Sequence, residues 1–275
     1  MADGIRLAEK RDIPALCTIW KSSFSDEEDY IKLFYKENFE QIETFVYEVN
    51  NTPISMVHAM DCCFAAGEEQ IAAKLLYAGC TLPENRRNGC FTELMKYVIK
   101  EESQRGYALF LKPSDSDHIS YYERLGFKPD SYLRLITIIP SKIKPVSAAP
   151  LSPAEYNRMR NFAFSHLPYA KWSDRHLKWC VEENEYFSGK TFSVKLNGEE
   201  YFIMAAPENN ALIITETNLS VKQLKQLSGA LCDMFGTEHL KAYMPEFACD
   251  EGEKIITSLV YNAPLKNTYV NLILI

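Results

Sequence analysis

Two short stretches of this chain have residue types and spacing that could do chemistry. The first is Arg86-Arg87-Asn88-Gly89-Cys90-Phe91, a polar loop closed by glycine between the apolar run KLLYAGCTL and the helical pattern CFTELMKYVIK. A helix start offers backbone amides with no internal partner and the positive end of the dipole, so it holds phosphate oxygens where the chain can come close. Gly89 permits that approach, and the forked guanidinium groups of Arg86 and Arg87 suit a phosphate. Taken alone, such a loop is a weak signal and reads better as a solvated glycine turn. The second stretch is Tyr121-Tyr122-Glu123-Arg124-Leu125-Gly126-Phe127, in which Tyr122 stands thirty-three residues after Gly89 with a strand and a short helix predicted between them.

Together the two stretches resemble the GNAT family, whose acetyl-CoA loop has the form Arg/Gln-x-x-Gly-x-Gly/Ala and whose following helix carries a pattern close to F-Y-x-K/R-x-G-F. The resemblance covers about residues 5–140. It implies an N-acetyltransferase that moves an acetyl group from acetyl-CoA, as co-substrate and without a metal, to a primary amine on a small molecule or peptide. It also implies the site. Cys80, Thr81 and Leu82 would hold the acyl and pantetheine portion through backbone hydrogen bonds at a splayed strand end, with amides near Thr81 stabilising the oxyanion. Arg86, Arg87, Asn88, Gly89, Cys90 and Phe91 would cradle the pyrophosphate. Ser114, in Pro113-Ser114-Asp115, would join the cofactor site, and Tyr122 would be the general acid, while Tyr121 fits a core role better. Phe91 departs from the pattern, which has glycine or alanine there; it is accommodated if its ring points into the core, because the amide that meets phosphate survives any side chain. Tandem-domain GNATs resembling the Eis group of aminoglycoside-acetylating enzymes often carry a larger residue at this place after a similar P-x-x-R-R-x-G run. This chain resembles them in a second, degenerate half, without room for their third, sterol-carrier-like domain.

Positioning these residues requires an α/β chain with a mixed sheet: a GNAT fold, then a second, degenerate GNAT-like α+β domain. A strand Ile5–Leu7 precedes a helix from about Asp12, with Pro14 in its first turn. Ser25 and Glu28 form a capping-box pattern before the next helix. Strands are expected at Glu43–Val49, Ile54–Cys63 and Ala72–Thr81, a helix over Cys90–Ser103, the strand ALFLKP, a short helix His118–Leu125 and a last strand pair around Leu133–Ile139. The stretch PSKIKPVSAAPLSP reads as a linker, giving domains 1–140 and 154–275 joined by 141–153. The second half repeats the order loosely, with helices Pro153–Ser165 and Asp174–Glu183, strands Thr191–Leu196, Tyr201–Ala206 and Ala211–Thr215, a helix Ser220–Phe235, a strand Leu240–Tyr243 and a closing strand Tyr269–Leu274. Its helix from Ser220 has neither arginines nor glycine before it, so this half is expected to have lost acetyl-CoA binding and to wall the acceptor cleft or form an oligomer contact.

Composition narrows the classes. Residues 1–140 carry 16 Lys+Arg against 22 Asp+Glu and the remainder 14 against 15, an acidic first half that argues against nucleic acid and favours a cationic partner. No apolar run is long enough to span a membrane and no signal pattern opens the chain, so a soluble, cytoplasmic protein is expected. The eight cysteines show no CxxC pair and suggest neither disulfides nor zinc, and the five histidines lack metal-ligand spacing. Ser188-Gly189-Lys190-Thr191 imitates the end of a P-loop, but Asn184 stands where glycine is required and a strand follows. Glu43 and Glu48 and, more remotely, a water chain are candidates for the general base; none has a signature and no base is assigned. The acidic run Asp26-Glu27-Glu28-Asp29 could attract a basic acceptor, although acids in a first helical turn already complement the dipole. Two rivals stand beside the enzyme: a non-catalytic acyl-CoA binder or sensor, which Tyr122 argues against, and an interaction module, favoured only if Phe91 blocks the loop.

Overall fold

The computed structural model describes residues 4–142 and 145–272, and the chain divides into two compact units. The first comprises residues up to Cys63, Ile71–Lys128 and Leu259–Pro264; the second comprises Phe64–Gln70, Pro129–Ser258 and the residues from Leu265 on.

In the first unit, β1 (Gly4–Leu7) leads through the turn Lys10–Asp12 into α1 (Ile13–Lys21), which has Pro14 in its first turn. Arg6 fixes this entry by gripping both oxygens of Asp12 at 2.6 and 3.0 Å. Helix α2 (Glu28–Asn38) starts without a side-chain cap, so the expected Ser25–Glu28 box does not form. Glu28 instead pairs with Lys32 at 2.6 Å, and Asp26 accepts the Trp20 indole N–H at 2.7 Å. These acids are engaged in holding their own helices. Strands β2 (Glu43–Val49) and β3 (Thr52–Ala66) are antiparallel and turn at Asn50 and Asn51, both left-handed with φ of 50° and 61°, a conformation asparagine tolerates. Then come β4 (Glu69–Thr81), α3 (Cys90–Gln104), β5 (Ala108–Leu111) and α4 (Ser116–Arg124). The strands lie in the order β1-β2-β3-β4-β5, with β4 and β5 parallel.

Rings from α1, α2 and β4 fill one face of this sheet around His58. Trp20, Phe34, Tyr35 and Tyr77 all lie with centroids 5.5 to 6.3 Å from the imidazole. Its two nitrogens meet Thr44 Oγ1 at 2.9 Å and the Tyr35 hydroxyl at 3.3 Å, and burial lowers its pKa to about 3. At the other end of β4 the buried Lys74 ammonium pairs with Glu43 and, at 3.1 Å, with the fully buried Glu102 of α3; Arg105 closes the cluster on both carboxylates at 2.9 Å. Burial lowers the Lys74 pKa and Glu102 opposes that shift.

The second unit repeats this order. It contains β6 (Lys128–Ile138), β7 (Ala148–Pro150), α5 (Pro153–Phe164), β8 (Tyr169–Lys171), α6 (Asp174–Tyr186), β9 (Lys190–Leu196), β10 (Glu199–Glu208), β11 (Ala211–Thr217), α7 (Val221–Phe235), β12 (His239–Pro245) and the start of β13 (Glu253–Tyr261), whose end from Leu259 belongs to the first unit. Two helices precede an antiparallel β9-β10-β11 meander, and α7 then crosses to β12, parallel to β11. The core is aliphatic, with Leu212, Ile214, Leu224, Leu231 and Leu240 fully buried. Ser188-Gly189-Lys190 is a turn, closed by the Gly189 amide on Asn184 O at 2.7 Å.

Four expectations need correction. The strand pair expected at 133–139 is a single strand, β6, and it pairs with β12 of the second unit. The place beside β5 goes to the end of β13, Leu259–Tyr261 against Leu111–Leu109, so the first unit ends at Lys128 and is completed by the far end of the chain. The stretch read as a linker includes β7, paired with β9. The closing strand expected at Tyr269–Leu274 is a single bridge from Tyr269 to Tyr169 within the described residues; 273–275 lie outside them.

A fragment ending at residue 140 therefore exposes β5 as an unpaired edge, which promotes aggregation. Size-exclusion chromatography is expected to show this fragment aggregated while the full chain elutes as a defined species. Because His58 stays neutral when folded and takes a proton near pH 6.5 when unfolded, stability falls as pH drops through 6.5 toward 3, by up to about 1.4 kcal/mol per pH unit. His58→Gln should flatten that slope in chemical denaturation measured between pH 7 and pH 4.5.

Candidate active site

Strand β4 pairs with β5 only through Ala73–Leu75. Because β5 stops at Leu111, the end of β4 from Leu76 to Thr81 runs on without a β5 partner. Within it Ala78 adopts φ of 49°, a left-handed conformation that costs a non-glycine residue about 1–2 kcal/mol. This turns the strand locally and marks a site held by its surroundings. Cys80 beyond it points its thiol toward the Ile19 and Ala78 carbonyls at 3.8 and 3.3 Å, and burial, opposed by Ser23 and Arg86, pushes its pKa up to about 12. Ser55 on β3 steadies the strand end by donating to Cys80 O at 3.0 Å and meeting Thr81 Oγ1 at 2.7 Å.

The loop leaves this strand at Leu82, whose amide donates to Ile54 O at 2.9 Å. Of the three residues expected to face pantetheine, Leu82 thus spends its donor within the fold. Arg86 is likewise a brace: Nε donates to Thr81 O at 3.0 Å, and Nη2 to Ser22 O at 3.2 Å and Ser23 Oγ at 3.0 Å. Arg87 and Asn88 are exposed, Arg87 with φ of 64°. Gly89 has φ of 86° and no atom within 4 Å of where a Cβ would lie, so the chain is bare at the start of α3. No side chain caps α3, whereas α4 is capped by Asp115 and α5, α6 and α7 by Ser152, Ser173 and Ser220. The ring of Phe91 turns away from the loop toward Gly79 of β4, where a Cβ would sit 2.8 Å from it. The loop is therefore not blocked by the bulky residue.

Helix α4 presents Tyr122 half-buried beside Tyr121 and Phe127, with ring centroids at 5.1 and 6.0 Å. Burial first, and then Tyr121, Cys80 and Asp115, raise its pKa well above that of a free phenol. Gly126, at φ of 95°, closes the helix, and Tyr261 from the chain's end packs on it, within 2.9 Å of a Cβ built there. Tyr121 instead bonds Thr92 Oγ1 at 3.3 Å and stacks on Phe91. Ser114 lies just before α4, where His118 Nδ1 meets both its hydroxyl at 3.2 Å and Asp115 at 2.7 Å. Because one nitrogen serves both contacts, the three do not form a nucleophilic triad. The base candidates are neutralised elsewhere, Glu48 by Arg6 and Glu43 by Lys74 and Arg105. Among the described residues no acidic, histidine and cysteine group is arranged to hold a metal, and no helix is long and apolar enough to cross a membrane. Ser55, Ser23 and Ala78 carried no sequence signal; Gly79 did, as an isolated glycine in an apolar strand.

The matching place in the second unit is closed by its own side chains. Strand β11 reaches α7 directly, Ser220 and Gln223 form a capping box there, and the fully buried Glu216 accepts from Tyr156, Arg160 and Tyr269 at 2.5 to 3.0 Å. Asn271 adds a bond to Thr215 O at 2.8 Å. After β12 comes the short turn Glu246–Ala248 in place of a tyrosine-bearing helix. Arg86→Ala should cost about 1–2 kcal/mol of stability by releasing three carbonyl and hydroxyl partners, while Arg87→Ala should stay within about 0.5 kcal/mol, as read by urea unfolding.

Residues 4–129 match the family model of the Acetyltransferase (GNAT) domain. Among curated proteins none matches the sequence. Among solved structures, a probable N-acyltransferase from Enterococcus faecalis V583 is similar over 94% of this chain and 72% of its own, at 13% identity and a TM-score of 0.73. A GCN5-related N-acetyltransferase from Kribbella flavida is similar over 94% and 71%, at 13% identity and a TM-score of 0.69. Eis1 from Mycobacterium abscessus is similar over 94% and 73%, at 11% identity and a TM-score of 0.65. At these identities the likeness is one of fold, and it extends through both units. The loop led by Gly89 and the parted strands β4 and β5 both fall within residues 4–129, the part of the chain that matches the acetyltransferase domain of the GNAT family.

Proposed function

We propose that the first unit transfers an acetyl group from acetyl-CoA to a primary amine on a small molecule or peptide. The observation that supports this most is the free end of β4 leading through Gly89, bare at φ of 86°, into the start of α3 that no side chain caps, with Tyr122 carried on α4. The amides of Gly89, Cys90 and Phe91, with Arg87 and Asn88 exposed beside them, suit a pyrophosphate; Cys80 and Thr81 offer backbone to the pantetheine arm, and Ser114 stands at the entry to α4. Arg86 serves the same site by holding the loop to Thr81.

Acetyl-CoA supplies an activated carbonyl. As the amine nitrogen bonds to that carbon and the carbon–sulfur bond breaks, Tyr122 donates its proton to the leaving sulfur, the amine's surplus proton passes to water, and Tyr122 is reprotonated from water. Burial keeps the Tyr122 phenol protonated at neutral pH and therefore able to donate. With Glu43 and Glu48 both paired, water is the proton's exit. All eight cysteines are free thiols, which fits a reducing compartment such as the cytoplasm. The second unit, with Ser220 on its helix start and Glu216 in its strand end, takes no acetyl-CoA.

Calorimetric titration with acetyl-CoA tests the reading without knowledge of the acceptor. Saturable binding is expected, weakened at least about tenfold by Gly89→Val, which strains φ and covers the amides. In a screen of amines followed by thiol release, Tyr122→Phe should cut turnover about a hundredfold or more while affinity stays within about threefold. Failure of the unaltered protein to bind acetyl-CoA would end this reading; binding with no turnover on any amine would make it an acyl-CoA binder.

A further inference from the structure

Phe91 does more than lend its amide to a helix start. Its ring lies on the bare backbone of Gly79, where a Cβ would fall 2.8 Å from Cζ and 3.1 Å from Cε2. On its other side it stacks on Tyr121, with centroids 6.0 Å apart and planes inclined by 22°. Tyr121 is held in turn by Thr92 Oγ1 at 3.3 Å and sits edge-on to Tyr122 at 5.1 Å. The ring thus bridges from the free end of β4 to α4, one residue along the chain from Cys80 on one side and one from Tyr122 on the other.

We propose that the Phe91 ring sets acyl-chain length: by filling the space between Gly79 and Tyr121 it leaves room beside Tyr122 for an acetyl group and excludes longer chains such as butanoyl. This rests on the acyl-transfer reading above. A thioester that reacts must lie within hydrogen-bond reach of the Tyr122 hydroxyl. An acyl tail extending from there toward β4 and α4 meets a rigid ring that can yield only by losing both its stack on Tyr121 and its seat on Gly79. Glycine at 79 is what admits the ring, so the two positions act as a pair.

The test compares dissociation constants of CoA, acetyl-CoA and butanoyl-CoA for the unaltered protein and for Phe91→Ala, Phe91→Leu and Gly79→Ala. The unaltered protein should prefer acetyl-CoA to butanoyl-CoA by about tenfold, the scale on which a pocket discriminates added methylenes. Phe91→Ala should bring that ratio close to one. Phe91→Leu, which keeps an apolar side chain and guards against a variant that fails to fold, should fall between. Gly79→Ala should weaken acetyl-CoA binding when Phe91 is present and have no such effect in the Phe91→Ala background, the coupling expected of a direct contact. If CoA and both thioesters bind but the ratio is the same with and without the ring, the gate is overturned and the acyl-transfer reading stands. If the unaltered protein binds none of the three, both fall together.

Discussion

Beyond Leu75, strand β4 has a hydrogen-bonding neighbour on one side only, because β5 ends at Leu111. A half-paired strand leaves backbone groups without partners, and these must be satisfied by other means or offered to a ligand. The protein does both. Ser55 takes the Cys80 carbonyl, Arg86 takes that of Thr81, and Ile54 takes the Leu82 amide. The left-handed turn at Ala78 is held in place by this scaffolding and by the packed rings around His58. At the opposite end of the strand, the Lys74, Glu43, Glu102 and Arg105 cluster anchors β4 where it is fully paired. Breaking one partner of such a buried cluster leaves an uncompensated charge, which makes that end the rigid one.

The two units show what becomes of the same chain order when the parted strand end is filled from within. In the first, a helix begins at a glycine and no side chain caps it. In the second, Ser220 and Gln223 satisfy the helix start and Glu216 occupies the strand end, neutralised by Arg160 and bonded by two tyrosines. At that depth the carboxylate is held by a charged partner and two hydroxyl donors.

Much of this was legible in the sequence because the informative residues are local. The loop from Arg86 to Phe91 and the short run ending at Gly126 announce themselves by glycine and by spacing, and the elements of both halves follow from apolar periodicity. What stayed hidden depends on contacts far apart in the chain. Nothing near Arg86 says that its guanidinium is spent on Ser22 and Thr81, and the box pattern at Ser25 gave way to the pull of Trp20 on Asp26. Strand β13 has no counterpart in the sequence reading, and the strand pair expected at 133–139 is one strand whose partner is β12, since pairing across more than a hundred residues leaves no local pattern.

The strand that finishes the first unit has a consequence in time. Leu259–Tyr261 must reach Leu109–Leu111 from about 150 residues further along, and Tyr261 then supports the helix that carries Tyr122. During synthesis at about 5–20 residues per second, the ribosome needs on the order of ten seconds to travel that distance. Throughout that interval the nascent amino-terminal half waits with an open edge, while the second half is being made. The half that matches the acetyltransferase model is thus translated first and finished last, and its maturation is tied to completion of the second unit.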